Sequence, residues 1–184
     1  MKTRTFMHYI IGNIAVLLLL LPGTSFAQAK PVTDQTLLDR IRIEDLMVRY
    51  YGNLGKSNGE KMAQHYTEDG ILDVNNMVFT GRDQIEKIYN TTGDQTGEVY
   101  QGRVNTLVTN MIIDVDGDEA TCWLIYTNVQ NESIEKLPQF LEQGRDYTQL
   151  VKRDGRWLIK HRWVTSDGGT PEYWRQNYVK RSFR

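Results

Sequence analysis

Val104-Asn105-Thr106-Leu107-Val108-Thr109-Asn110-Met111-Ile112-Ile113 runs to a turn at Asp116-Gly117-Asp118 and returns as Ala120-Thr121-Cys122-Trp123-Leu124-Ile125-Tyr126-Thr127. A second pair follows it. Asp146-Tyr147-Thr148-Gln149-Leu150-Val151 turns at Asp154-Gly155 and returns as Trp157-Leu158-Ile159-Lys160-His161-Arg162-Trp163-Val164. Asp-Gly between strand-like runs marks a hairpin, because glycine takes positive φ at no steric cost. Two hairpins in series, with helical segments before them, predict an α+β fold. A long antiparallel meander preceded by helices bends around a cavity.

Outward from the hairpins, Thr33-Asp34 starts a helix in which Leu37, Leu38, Ile41, Leu46, Met47, Tyr50 and Leu54 recur at helical spacing. Ser57-Asn58-Gly59-Glu60 has capping-box form and opens a short helix to about Tyr66. Ile71-Leu72-Asp73-Val74 reads as a first strand. Thr80-Gly81-Arg82-Asp83 caps a helix with Ile85, Ile88 and Tyr89 on one face, and the polar stretch from Thr91 to Gly102 reads as a loop. A polar link from about Gln130 to Gly144 joins the hairpins.

The ends are distinct from this body. Lys2 and Arg4 precede an apolar run from Ile10 to Leu21, which Pro22 and Gly23 break before Ala27-Gln28-Ala29. That is the layout of a secretory signal peptide over residues 1–29, with cleavage after Ala29. It implies an exported protein, periplasmic or secreted, with no stable membrane span once the segment is removed. The formal charge of −1 for the 184-residue chain becomes −3 when Lys2 and Arg4 leave, which gives nucleic acid no reason to bind. Cys122 is the only cysteine, so stability rests on a hydrophobic core over residues 30–169 rather than on an intrachain disulfide. Residues 170–184 form a basic aromatic tail, with Trp174 and Tyr178 at i,i+4. It reads equally as a helical lid, a dimer contact or a frayed terminus.

The pattern resembles the SnoaL-like branch of the nuclear transport factor 2-like superfamily. Ile43-Glu44-Asp45-Leu46 through Tyr50, Tyr66-Thr67-Glu68-Asp69-Gly70, Gly81-Arg82-Asp83-Gln84-Ile85, Leu107-Val108-Thr109-Asn110, Asp116 to Ala120 and Asp154 to Ile159 carry the resemblance in order. It implies a strongly curved antiparallel sheet forming a cone, with the N-terminal helices covering the concave face and a ligand pocket inside. It also implies functions ranging from cofactor-free dehydratases, isomerases and cyclases to binding and dimerising domains. Dehydratase-like members usually carry an Asp in the stretch similar to Leu54-Gly55-Lys56-Ser57-Asn58, where Gly55 and Asn58 stand at positions common for acids, and often a His where Thr106 stands, so the resemblance implies that the familiar acid/base pair is missing. An uncharged threonine shuttles no proton at neutral pH.

Strand counting offers a replacement. From the Asp154-Gly155 turn outward, Thr148 faces His161 and Asp146 faces Trp163, and Trp157, Ile159, His161 and Trp163 share one side while Lys160 and Arg162 share the other. On that count Asp146 and His161 become neighbours on the pocket face, where a carboxylate orients an imidazole and raises its pKa. The competing reading is an ordinary packed histidine. The resemblance adds Thr106 and Asn110 as pocket residues. Trp123, Thr148 and Trp163 would line the walls, with Tyr50 from the first helix and Asp73 from the first strand.

Asp114-Val115-Asp116-Gly117-Asp118 fails as a calcium loop, because the glycine comes too early and Ile125 stands where the bidentate glutamate belongs. His65 reads as a surface or packing residue, and no spacing suggests a metal or other cofactor. Three readings stay open: an exported cofactor-free lyase or isomerase acting on a small apolar or aromatic molecule, a non-catalytic carrier of such a ligand, and a homodimeric interaction domain.

Overall fold

The computed structural model describes residues 30–54, 61–99 and 103–181, with residues 91–99 described by backbone course alone. Residues 1–29, expected to be a signal peptide, the Ser57–Glu60 capping box and positions 55 and 58 lie outside the described residues. Helix α1 spans Asp34–Asn53, α2 spans Arg82–Val99, and a short 3-10 turn at Met62–His65 separates α1 from the sheet. The strands are β1 (Tyr66–Val74), β2 (Met77–Thr80), β3 (Arg103–Asp116), β4 (Glu119–Asn131), β5 (Gln139–Arg153) and β6 (Arg156–Gly168).

Among the described residues, six strands form one open sheet in the order β2-β1-β6-β5-β4-β3. Four neighbouring pairs are antiparallel, and β1 against β6 is parallel, so the sheet is mixed. The expected α+β architecture is present, with both predicted hairpins. Asp154 and Gly155 hold φ of +49° and +74°, the mirror-image turn that matches strand twist, and Gly117 holds +61°. A third hairpin, β1–β2, adds to the two expected. Asn75 and Asn76 carry it at φ +51° and +70°, and asparagine tolerates that region better than most side chains.

Thr33 caps α1 in a reciprocal arrangement with Thr36. The helix buries Ile43, Met47, Tyr50 and Tyr51 against the sheet, whereas Leu37, Leu38 and Ile41 are exposed, contrary to the sequence expectation. The reason is Asp39. It faces the sheet and accepts from Trp157 Nε1 at 3.0 Å and Lys152 Nζ at 3.0 Å, which rotates the early leucines outward. Burial opposes ionisation of Asp39, but Lys152 and Trp157 outweigh it and lower its pKa. The predicted Thr91–Gly102 loop is also corrected: α2 continues through Val99 despite Gly93 and Gly97, each a cost of about 1 kcal/mol in a helix interior.

Cross-strand rows define the two faces. Inside the curve lie Thr106–Asn128–Glu142, then Val108–Tyr126–Gly144–Ser166, then Leu124–Asp146–Val164, then Cys122–Thr148–Arg162–Leu72. Outside lie Ile112–Trp123–Tyr147–Trp163–Asp73 and Thr121–Gln149–His161–Ile71. The tail makes one 3-10 turn at Glu172–Arg175 rather than a longer helix. It is tied to the β1–β2 turn by bonds from Asn75 and Asn76 to the Trp174 and Asn177 carbonyls, and to Asp73 by Arg181.

Candidate functional site

A one-residue bulge decides which side chains enter the cone. Leu150 pairs with Ile159 and Gln149 with His161, so Lys160 is an extra residue in β6. An inserted residue reverses the facing of everything beyond it. Arg162 therefore points inward beside Asp146, and His161 points outward. The expected Asp146–His161 pair does not form. His161 instead stacks on Trp163, rings 3.4 Å apart and 16° from parallel. Burial lowers the pKa of His161, Asp73 raises it, and Arg181 lowers it, with a net shift downward. Trp163 and Asp73 share that outer face, where Asp73 bonds the Asn76 N–H and Arg181.

A second bulge, in β3, holds Asn110 at φ +53° and exposed, outside the pocket that the resemblance implied. It also splits the predicted face of the first hairpin. Thr106 points inward, while Trp123 points outward. Of the expected site residues, Asp146, Thr148, Thr106 and Tyr50 lie on the concave side.

The deep end of that side is a charged cluster sealed from water. Arg162 Nε donates to Asp146 Oδ2 at 2.6 Å, Nη1 to the hydroxyls of Tyr50 at 3.0 Å and Tyr89 at 3.1 Å, and Nη2 to Tyr51 at 2.7 Å. Asp146, fully buried, also accepts from Tyr51 at 2.7 Å and from Thr148 at 2.6 Å. The guanidinium carbon lies 4.6 Å and 5.0 Å from the ring centres of Tyr50 and Tyr51. Tyr50 further shares hydroxyl contacts with Tyr66 at 2.9 Å and with Tyr89, and its ring meets the ring of His65 at 5.6 Å, which places that histidine against the cluster.

Burial drives the phenol pKa values of Tyr50, Tyr51 and Tyr66 well above 10, with Arg162 pulling the other way. Burial opposes the charge on Arg162, yet Asp146 and the surrounding phenol oxygens hold its pKa up. These phenols are neutral hydrogen-bond donors rather than bases. Burial likewise raises the pKa of the Cys122 thiol and removes it as a nucleophile.

Toward the wider end the inward residues become half-buried, and a different carboxyl takes over. Glu142 Oε1 accepts from the Tyr126 hydroxyl at 3.1 Å and the Ser166 hydroxyl at 3.1 Å, and Oε2 accepts from Asn128 Nδ2 at 3.2 Å. Thr170 bonds the same carboxyl, and Asn128 Oδ1 accepts from Thr106 at 2.7 Å. Burial raises the pKa of Glu142; Ser166, Tyr126, Thr170 and Asn128 pull it down without cancelling the rise. Gly144 makes room for this arrangement. A Cβ there would sit 2.5 Å from the Tyr126 hydroxyl. Tyr126 in turn stacks on Tyr51, ring centres 6.0 Å apart, which joins the two ends of the interior.

Sequence reasoning missed Glu142 and Arg162. Glu142 continues the period-two series Thr148, Asp146, Gly144 backward, so extending that strand through the polar link finds it. Arg162 has no such signal, because nothing in the sequence announces the Lys160 bulge. Among the described residues no three metal-ligating side chains converge, and no helix is long and apolar enough to cross a membrane.

An open curved sheet with two helices on its concave side, and a hydroxyl-ringed carboxyl among the inward residues, defines an α+β cone. The SnoaL-like domain model matches residues 35–163, and the chain belongs to that family. A single-residue variant of Rv3472, a protein of unknown function from Mycobacterium tuberculosis, is 28% identical over 73% of this chain and 75% of its own, with a TM-score of 0.60. A candidate scytalone dehydratase from Novosphingobium aromaticivorans is 25% identical over 74% and 89%, also at 0.60. A protein of unknown function with a cystatin-like fold from Nostoc punctiforme shares the fold at a TM-score of 0.63, with 23% identity over 74% and 96%. No curated protein matches.

Proposed function

We propose that this chain binds a small, largely apolar or aromatic molecule bearing a hydroxyl or carbonyl oxygen, and moves a proton on it without a cofactor, in a dehydration, isomerisation or cyclisation. The observation that carries the proposal is Glu142. It is an inward-facing carboxyl in the half-buried part of the concave face, with its proton affinity raised by burial and with Tyr126, Ser166 and Asn128 beside it. A carboxyl so tuned serves as a general acid or base closer to neutral pH than an exposed one. Asp146 is committed to Arg162 and is the electrostatic floor of the interior rather than the proton carrier. The candidate scytalone dehydratase among the similar structures is consistent with this reaction class.

The test is incubation of the purified chain, wild type and Glu142→Gln, with a panel of aromatic and polycyclic alcohols and ketones. Mass spectrometry detects both bound and altered compounds. Conversion by the wild type that falls about 100-fold or more in Glu142→Gln supports the reading. Compounds bound but never altered replace it with the carrier reading.

Two further expectations belong to this proposal. Export follows from the Met1–Ala29 pattern, and fractionation with N-terminal sequencing of the recovered protein tests it. Homodimerisation is favoured by the row Ile112–Trp123–Tyr147–Trp163 across the outer face of the sheet. Such a row suits an isologous contact. Sedimentation of wild type against Trp123→Lys tests it, and a wild-type monomer rejects it.

A further inference from the structure

Asn75 is fully buried, yet it sits in a turn and far from Glu142 in sequence. Its side chain is completely used. Oδ1 accepts the backbone N–H of Ser166 at 2.9 Å, and Nδ2 donates to Ser166 Oγ at 2.9 Å and to the Trp174 carbonyl at 2.8 Å. The two ends of the amide cannot be interchanged, because a backbone N–H only donates and a carbonyl only accepts. Ser166 Oγ therefore receives a proton from Asn75, and its own proton must go elsewhere. The near acceptor is Glu142 Oε1 at 3.1 Å, against 3.4 Å to the Tyr126 hydroxyl. Tyr126 donates to the same Oε1. Two O–H donors thus converge on Oε1, while Oε2 accepts from the Asn128 amide and Thr170 bonds the same carboxyl.

We infer that Asn75 is a positioning residue for Glu142: by occupying Ser166 Oγ as a donor it aims the serine proton at Oε1 and so sets how readily the carboxyl takes up and releases a proton. The inference rests on the proposed role of Glu142 only for its functional meaning, since the hydrogen-bond direction stands without it. It also joins the C-terminal segment to the site, because Trp174 supplies the second acceptor that holds the Asn75 amide in place. Groups facing the carboxyl come from two strands and the segment after β6: Tyr126 and Asn128, Ser166, and Thr170. None of them carries a charge that would mask the effect.

The experiment reads the titration of Glu142 directly, by carbon-13 NMR of the glutamate carboxyls in the full chain, with Glu142→Gln identifying the signal. Asn75→Gly keeps the left-handed backbone and removes only the amide. It is expected to raise the Glu142 midpoint by about one unit, the size of one hydrogen bond lost to a carboxylate. Ser166→Ala is expected to match it, and Asn75→Gly/Ser166→Ala to add nothing further. Asn75→Asp, nearly isosteric, keeps the fold testable if glycine does not; it turns the serine proton toward the new carboxylate and raises the midpoint at least as much. Asn76→Gly, which cuts only the bond to the Asn177 carbonyl, is expected to leave it unchanged. A midpoint unmoved in folded Asn75→Gly or Asn75→Asp overturns the inference, as does additivity in the double variant. Absence of any enzymatic conversion would overturn the proposed function and leave this titration result standing.

Discussion

Replacing Arg162 with methionine removes a cation from a buried site. Asp146 is fully buried and keeps only the hydroxyls of Tyr51 and Thr148, while the phenols of Tyr50, Tyr51 and Tyr89 lose a donor each. Breaking a buried pair by removing one partner costs about 3–5 kcal/mol, because the remaining charge is uncompensated. Against a domain stability of about 5–15 kcal/mol this is a severe loss, and at about 3 °C per kcal/mol it lowers Tm by roughly 10 °C. Asp146→Asn on top of Arg162→Met removes the stranded charge at nearly constant volume. The double variant is therefore expected to recover about 2 kcal/mol of the loss, the share that belongs to the uncompensated charge. Urea unfolding followed by tryptophan fluorescence measures all four corners of the cycle. A double variant no more stable than Arg162→Met would refute the account of this pair as charge compensated by charge.

Gly144→Ala drives a methyl group into the Tyr126 hydroxyl and the Thr165 carbonyl, so it is expected to cost about 1–3 kcal/mol and to weaken ligand binding through the displaced Tyr126 contact; urea unfolding and a thermal-shift titration read the two effects. His161 has a folded pKa below its unfolded value near 6.5, so the unfolded state binds more protons as pH falls below that value. Wild type should lose stability there, and His161→Phe should lose less across the same range, as unfolding at each pH measures. Glu142 has the opposite sign: its folded pKa lies above 4.5, so its contribution is fully present below that value and fades as pH rises through the folded one. Glu142→Gln is expected to be at least as stable as wild type at pH 7, with the difference shrinking toward pH 4, as measured by unfolding at each pH.

The hairpins, the Thr33 cap and the α+β class are legible in the sequence because each depends on neighbouring residues: a positive-φ glycine in a turn, a hydroxyl three positions before a free N–H. The facing of β6 is not. Alternation carries the count correctly from Asp154-Gly155 to Ile159, and a single uncounted residue at Lys160 then exchanges His161 for Arg162. Bulges answer to the twist of the whole sheet, which no local pattern reports. The same limit displaces Asn110 and Trp123. Asp146 and Thr148 are placed inward correctly because the extra residue lies in β6 and leaves the alternation of β5 intact, whereas Thr106 faces inward as the resemblance implied although the β3 bulge separates it from the hairpin turn. Glu142 escapes for a simpler reason. Its strand begins among polar residues that resemble a connection.

The parallel seam between β1 and β6 bears on the order in which this chain can become itself. Residues 66–74 leave the ribosome early, but their long-term neighbour is the last strand of the sheet to be made. Until that strand arrives, β1 has only the short β2 beside it, and Asp146 has no cation to sit against. A half-made sheet therefore lacks both its seam and its buried charge pair, and pairing across such a separation is slow.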